Sequence, residues 1–327
     1  MVAPTPPAED KIHLMTKPHI LQVGSYPASD QAALDAVFDV RRYFEAADKA
    51  AFLAAEGSTI RGVATRGDLG ASAEIIAACP SLEIISIYGV GYDAVHLPSV
   101  RARGIKLTNT PDVLTDDVAD LAVGMLLALS RGIARADGFV RDGSWAKASF
   151  PLQRKVSGKR AGILGLGRIG HQIARRLEAF GMEISYCSRQ PKPEAGAWAY
   201  EADPVALARR SDYYLIALAA TPETRHIVGR EVIAALGPAG MIVNISRAAN
   251  LDEAALLDAL ETGALGGAAL DVFDGEPALN PRFLTAPNLL LQPHHGTCTH
   301  ETRQAMGQLM RDNLMAHFAG RPLLTPV

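Results

Sequence analysis

The sequence predicts an α/β protein of two doubly wound parallel-sheet domains. Three observations carry that prediction. A chain of 327 residues is too long for one ordinary core. Short apolar runs alternate with helix-spaced stretches along the first third. The same alternation then restarts past the middle of the chain, and a β-α-β alternation builds a parallel sheet with helices on both faces.

The first array comes in order. HILQVGSY, IRGVATRG, LEIISIYGVG and IKLTNT read as strands, with DQAALDAVF, ADKAAFLAAEG and ASAEIIAACP at helical spacing between them. The turn signal NTPD precedes a long apolar helix over 113–137, and the irregular stretch RDGSWAKASFPLQRKVSG follows. The second array takes KRAGILGLG, EISYCSR, DYYLIALAA, GMIVNIS, ALGGAALDVF and NLLLQP as strands, most of them separated by helices. A last helix over 300–318 is expected to return to the first domain. The domains are therefore 1–108 with 295–327, and 109–294.

Composition narrows the class. With 48% hydrophobic and 20% charged residues the chain is ordinary for a globular protein, and a net charge of −3 without a basic block gives no case for nucleic acid. Cys79, Cys187 and Cys298 are scattered, which fits a reducing compartment. The N-terminal MVAPTPPAEDKIH has no apolar core and reads as a mobile tail rather than a signal peptide. In VADLAVGMLLALSRGIARA, Asp120 and Arg131 limit the apolar run, so a buried helix is expected and not a membrane span. A cytoplasmic protein fits these features.

The motif with the sharpest chemistry is AGILGLGRIG. Gly165, Gly167 and Gly170 follow an apolar strand and open an amphipathic helix. Gly165 permits the tight turn, Gly167 lets the backbone approach a pyrophosphate, and Gly170 permits close packing of helix on strand. The helix N-terminus adds free N–H groups and a positive dipole end. An NAD site usually ends the next strand with an acid that holds the ribose 2′-OH. Here that strand ends in Ser188 and Arg189, with Lys192 nearby. A hydroxyl and a guanidinium suit a 2′-phosphate, so NADPH is the expected cofactor.

Three later strand ends bring further side chains. Arg247 follows GMIVNIS, Asp271 and Glu276 follow GGAAL, and His294 and His295 follow NLLLQP. Strand C-termini of open α/β sheets line the ligand crevice. An arginine, two acids and a histidine there fit carbonyl reduction. Arg247 can hold the carboxylate of a 2-oxo acid bidentately and polarise its carbonyl. A histidinium supplies the proton, and a carboxylate, Glu276, favours the charged ring and fixes its orientation. Asp271 reads as better placed for the nicotinamide or for Arg247.

At this point the residues match a family. On GVGYDAV, TNTPDVLTDDVADLAVGMLLAL, GKRAGILGLGRIG, TPET, VNISRAANLDEAALLDAL, GAALDVFDGEP and PHHGTCTHETRQAM, the chain resembles the D-isomer-specific 2-hydroxyacid dehydrogenases over residues 18–325. TPDVLTDDVAD and SYCSR are most similar to the hydroxypyruvate/glyoxylate reductase branch, in particular its hydroxyphenylpyruvate-reductase-like members. The resemblance implies a flavodoxin-like substrate domain beside a Rossmann-like dinucleotide domain, with substrate in the cleft between them. It implies a catalytic set of Arg247, Glu276 and His294, choosing His294 over His295 because it directly follows the proline. It implies substrate-carboxylate binding by the amides of Val90 and Gly91. Cofactor contacts are implied at Leu166, Gly167, Arg168, Ile169, Ser188, Arg189, Gln190, Ile245, Asp271 and Gly296. A homodimer is implied too, with the arm from Trp145 to Phe150 reaching toward the partner.

Departures from the family pattern are Ala219, where Pro is common, and His295 and Cys298, where apolar and small residues are more usual. Tyr26, after the first strand, stands where an apolar pocket residue is common and is expected to help set substrate size. Tyr88 and Tyr92 flank the carboxylate loop and are candidates for the pocket wall. A metal site in HHGTCTH lacks a second ligand cluster, so no metal is expected. A non-catalytic NAD(P)H-binding regulator is the other class, disfavoured because the acid–base pair is kept. An NAD-dependent lactate or phosphoglycerate type is disfavoured by the missing acid after the second strand.

Overall fold

A computed structural model describes residues 17–327, and the N-terminal stretch read as a tail lies outside the described residues. The described residues form two compact units, 17–113 with 300–327, and 114–299.

In the first unit the strands are β1 (His19–Gln22), β2 (Asp39–Arg42), β3 (Gly62–Arg66), β4 (Ile84–Tyr88) and β5 (Lys106–Thr108). Between them run α1 (Ala28–Val37), α2 (Lys49–Glu56), α3 (Ala73–Ala78) and α4 (Leu97–Arg103). The sheet is parallel, in the order β2-β1-β3-β4-β5. Strand order reverses between β1 and β3, which makes their carboxyl ends the switch point of this unit. β4 is buried along its whole length, as expected for a central strand covered on both faces. Its buried Ser86 is satisfied: it donates to Met310 O (3.1 Å) and accepts from Thr108 Oγ1 (2.9 Å).

In the second unit α5 (Thr115–Arg131) and α6 (Ile133–Arg141) precede the sheet. There β6 (Arg160–Leu164), α7 (Arg168–Ala179), β7 (Glu183–Cys187), β8 (Ala199–Glu201), α8 (Pro204–Arg209) and β9 (Tyr213–Ile216) follow one another. They continue into α9 (Arg230–Leu236), β10 (Met241–Asn244), α10 (Glu253–Glu261), β11 (Gly267–Leu270) and β12 (Leu289–Leu291). This parallel sheet runs β12-β11-β10-β9-β6-β7-β8, reversing between β6 and β9. The helix expected over 113–137 is broken. Gly132 adopts φ +60°, ends α5 and starts α6, which runs on to Arg141. A left-handed residue cannot continue an α-helix, and glycine adopts that conformation at least cost.

The last helix, α11 (His300–Phe318), belongs to the first unit and lies on β4 and α1. Both unit boundaries fall later than the expected 108/109 and 294/295, at 113/114 and 299/300. The reason is local bonding. Asn109 N–H donates to Thr325 O and Thr110 N–H to Gly89 O, which keeps 109–110 with the first sheet. Beyond His294, the amides of His295 and Gly296 bond to Asp271, and Thr299 bonds to Asp117, which keeps that loop with the second.

The C-terminal tail is fastened by Asn313. Its Nδ2 donates to Leu309 O (2.9 Å) and Thr325 Oγ1 (2.8 Å), and its Oδ1 accepts from Leu324 N (3.0 Å) and Thr325 N (3.1 Å). Asn313 is fully buried, so removing the amide strands buried groups. Asn313→Ala is expected to cost about 2–3 kcal/mol in urea unfolding. A loss within experimental error would show that the tail is held by other contacts.

Candidate active site

The glycine loop sits at the switch point of the second sheet, between β6 and β9. Gly165 has φ +97°, and a Cβ there would lie 2.7 Å from Leu218 N in the loop after β9. Gly170 is packed so closely that a Cβ would lie 2.0 Å from Gly165 O. At Gly167 a Cβ would meet nothing within 4 Å, so this glycine is spare to the fold. It lies exposed at the N-cap of α7, the side on which a pyrophosphate would approach. The helix places Ile173, Ala174 and Leu177 in the core, which fixes where its free N–H groups point.

The loop after β7 is braced. Ser188 Oγ donates to Gln190 O (2.6 Å), Tyr200 OH donates to Ser188 O (3.2 Å), and Lys192 N–H donates to Tyr186 OH (2.9 Å). Arg189 and Gln190 are exposed beyond these ties. The loop holding Ala219 is pinned as well. Thr224 Oγ1 donates to Ala219 O (3.1 Å) and accepts from Thr221 N (2.8 Å), so the missing proline leaves no slack.

Arg247 stands at the end of β10 on a turn built by two buried asparagines. Asn244 Oδ1 accepts from Ser246 N (3.0 Å) and Oγ (2.8 Å), and Asn244 Nδ2 donates to Arg247 O (3.2 Å). Asn250 Nδ2 donates to Ser246 Oγ (3.1 Å) and Leu218 O (3.1 Å). The guanidinium is half-buried, with Nη1 donating to Ser246 O at 2.8 Å. Ile245 is buried at the strand end. Sequence reasoning missed these asparagines. Their signal was a pair of amides flanking a strand-end arginine.

Glu276 and His294 meet. His294 Nδ1–H donates to Glu276 Oε1, and Glu276 Oε2 accepts from Phe273 N (3.1 Å). The carboxylate is therefore fixed from both sides. With Nδ1 so engaged, Nε2 is the nitrogen left for a substrate, and it makes no hydrogen bond among the described residues. The two side chains are 37% and 28% exposed, so the ring is reachable and its acid partly shielded. His294 has φ +52°, an uncommon conformation for a residue with a Cβ, and such strain collects at functional sites.

Asp271 braces the backbone after His294. Its Oδ1 accepts from His295 N (2.9 Å) and its Oδ2 from Gly296 N (3.0 Å), so it orders the histidine loop. Burial pushes its carboxyl above the ordinary carboxylate range, against the pull of those two amides. His295 turns its ring to Gln292, with Nε2 2.7 Å from Oε1, and Cys298 is exposed. Glu253, at the start of α10, was also missed. It accepts from Asp274 N (2.8 Å) and so holds the turn ahead of Glu276, while burial raises its own carboxyl.

In the first unit, Val90 and Gly91 follow β4. Gly89 N–H donates to Thr110 Oγ1 (3.0 Å) and Val90 O accepts from Asn109 Nδ2 (2.9 Å). The N–H groups of Val90 and Gly91 themselves have no partner among the described residues. Tyr26 packs its ring on Tyr88, centroids 5.1 Å apart, with its hydroxyl buried. The pocket-wall reading of Tyr88 does not hold. It is 3% exposed and points its hydroxyl into the protein, whereas Tyr92 is exposed.

Among the described residues no helix is long and apolar enough to cross a membrane, and no group of His, Cys, Asp and Glu is arranged to hold a metal ion.

Comparison with known proteins adds to this geometry. Residues 123–296 match the profile of the D-isomer specific 2-hydroxyacid dehydrogenase NAD binding domain. The chain is 49% identical over 294 residues to hydroxyphenylpyruvate reductase of Plectranthus scutellarioides, covering 90% of this chain and 94% of the other. Among solved structures, a 2-hydroxyacid dehydrogenase of Ketogulonicigenium vulgare Y25 is 62% identical with a TM-score of 0.90, over 96% of this chain and 99% of that one. An NADPH-dependent glyoxylate/hydroxypyruvate reductase of Sinorhizobium meliloti, solved with NADP and malonate, is 40% identical with a TM-score of 0.90, over 95% and 97%.

Proposed function

The chain belongs to the D-isomer-specific 2-hydroxyacid dehydrogenase family, and from that premise we propose that it reduces a small 2-oxo acid to the D-2-hydroxy acid with NADPH. Hydroxypyruvate, glyoxylate and related acids are the substrates in view. The single observation that carries the reading is the Glu276–His294 pair, whose Nε2 is left for a substrate in the sheet that also carries the glycine loop.

When bound, the dinucleotide supplies the hydride that adds to the carbonyl carbon. His294 gives the carbonyl oxygen its proton from Nε2, with Glu276 balancing the charge on the ring. Arg247 holds the acid's carboxylate and polarises the carbonyl. The unpaired amides of Val90 and Gly91 take a carboxylate oxygen, and the Tyr26 ring limits side-chain size. The amides from Leu166 to Gly170 take the pyrophosphate, and Ile245, Asp271 and Gly296 lie toward the nicotinamide. Ser188, Arg189 and Gln190 take the 2′-phosphate. The NADPH-dependent relative from Sinorhizobium meliloti supports the cofactor choice. A cytoplasmic homodimer completes the reading, supported by the exposed Trp145 and Leu152.

The test is steady-state oxidation of NADPH with hydroxypyruvate, glyoxylate and 4-hydroxyphenylpyruvate, with NADH run beside it. Turnover of one acid with NADPH well ahead is expected. No turnover with any acid, while NADPH still binds, would favour the regulator. In the same assay Arg189→Ala should lower the NADPH:NADH ratio of kcat/KM about tenfold, the worth of one charge-assisted bond. An unchanged ratio would remove Arg189 from the phosphate site.

A further inference from the structure

Beneath the Val90–Gly91 loop lies a buried polar cluster that the catalytic scheme does not use. Tyr88, the last residue of β4, directs its hydroxyl to two acceptors, Asp30 Oδ2 at 3.0 Å and Arg303 O at 2.8 Å. Asp30 comes from the first turn of α1 and is 4% exposed. Its carboxyl lies directly over Gly307 of α11, where a Cβ would come within 2.1 Å of Oδ1. Such a contact is made only because that helix position is glycine. The charged neighbours are Arg311, with Nη1 3.7 Å from Asp30 Oδ1, and Arg303, over the Tyr88 ring at 5.6 Å. The Tyr26 ring packs on that of Tyr88 with centroids 5.1 Å apart, and Arg66 and Asp68 are the charged neighbours of Tyr26.

A phenol has one proton, and two acceptors face it. Both bonds are made together when Asp30 carries a proton of its own. Asp30 then donates to the Tyr88 oxygen, and Tyr88 donates to Arg303 O. Ionised Asp30 competes for the Tyr88 proton, and the tie to α11 weakens. The ends of β4 and α11 are thus joined immediately before the residues whose amides face a substrate carboxylate.

We propose that Tyr88 is the positioning residue of the Gly89–Gly91 loop, held in register by Asp30 and the Arg303 carbonyl, and that it sets affinity for the 2-oxo acid without touching it. The proposal rests on the assignment of that loop to the substrate carboxylate. Burial raises the Asp30 carboxyl above its ordinary value, against the pull of Tyr88, Arg311 and Arg303. A carboxyl so raised favours the folded arrangement most at low pH, and that advantage is lost as pH climbs through the folded-state value.

The experiment uses the full chain with hydroxypyruvate and NADPH. Tyr88→Phe and Asp30→Ala should each raise the KM for the acid about tenfold, the worth of one hydrogen bond, with kcat and NADPH affinity within about twofold. Asp30→Asn, which can donate to Tyr88 through its amide, should recover most of what Asp30→Ala loses. The ratio of wild-type to Asp30→Asn KM should rise with pH. Equal losses in kcat and KM, or no change in KM, would overturn the proposal. Amide hydrogen exchange over 86–95 gives a readout independent of turnover. Exchange should quicken in Tyr88→Phe and Asp30→Ala and stay near wild type in Asp30→Asn. Unchanged exchange would refute the positioning role even in an active enzyme. Faster exchange in a chain that reduces no 2-oxo acid would keep it and sink only the substrate assignment.

Discussion

His294→Ala is expected to lower kcat on 2-oxo acids by about 10²-fold or more while NADPH affinity stays near wild type. The separation follows from where the residue stands. His294 follows β12 at the sheet edge, whereas the glycine loop follows β6, four strands away in the order of the sheet. Among the described residues its ring is hydrogen-bonded only through Nδ1 to Glu276, and its side chain is part-exposed. Truncation is therefore expected to remove the proposed proton donor and little else. The positive φ of His294 adds a second expectation, since glycine adopts that backbone more easily than alanine. His294→Gly should be at least as stable as His294→Ala and equally inactive. Single-turnover hydride transfer, followed with NADPH binding by fluorescence, checks both. Turnover within tenfold of wild type would move the proton donor to another group and undo the catalytic reading.

Glu276→Gln separates charge from geometry in the same pair. The amide oxygen can still accept from Nδ1, so the ring keeps its tautomer while the negative charge is gone, and the bond from Phe273 N to the other oxygen is given up. A loss close to that of His294→Ala would mean that the charge does the work, and a mild loss that orientation does.

What was legible in the sequence follows physical lines. The strands read correctly are mostly interior ones such as β4 and β9, where burial on both faces demands an unbroken apolar run. The two strands missed, β2 (DVRR) and β8 (AYE), are the edges of their sheets and are only half-buried. These two edge strands carry charge and leave no unbroken apolar run, unlike the edge β12. The α5–α6 break turned on one glycine at positive φ, which composition does not distinguish from a glycine inside a helix. In the candidate site, the residues proposed to face a ligand could be picked out because their chemistry is rare at strand ends. Their supports could not. Asn250, Glu253 and Asp271 act through bonds to backbone atoms distant in sequence, and Asn244 through the geometry of its own turn.

The glycine loop yields the last large effect, because its residues have separable duties. Gly170→Ala would put a Cβ 2.0 Å from Gly165 O and 3.3 Å from Ile163 Cγ2. Neither neighbour is the free end of a flexible chain, so α7 must lift from β6. The expected cost is about 3 kcal/mol or more in unfolding free energy. NADPH should bind at least ~30-fold more weakly, since the N–H groups of α7 move with it. Gly167→Ala is the contrasting case. Its backbone is extended at φ −86°, and a Cβ meets open space, so the fold should keep its melting temperature. A pyrophosphate approaching that backbone would still meet the new methyl, so NADPH affinity should fall with stability intact. Calorimetric melting beside NADPH titration distinguishes the two. Equal stability losses would mean that Gly167 serves the fold after all. An undiminished NADPH affinity in Gly167→Ala would mean that the phosphates lie elsewhere.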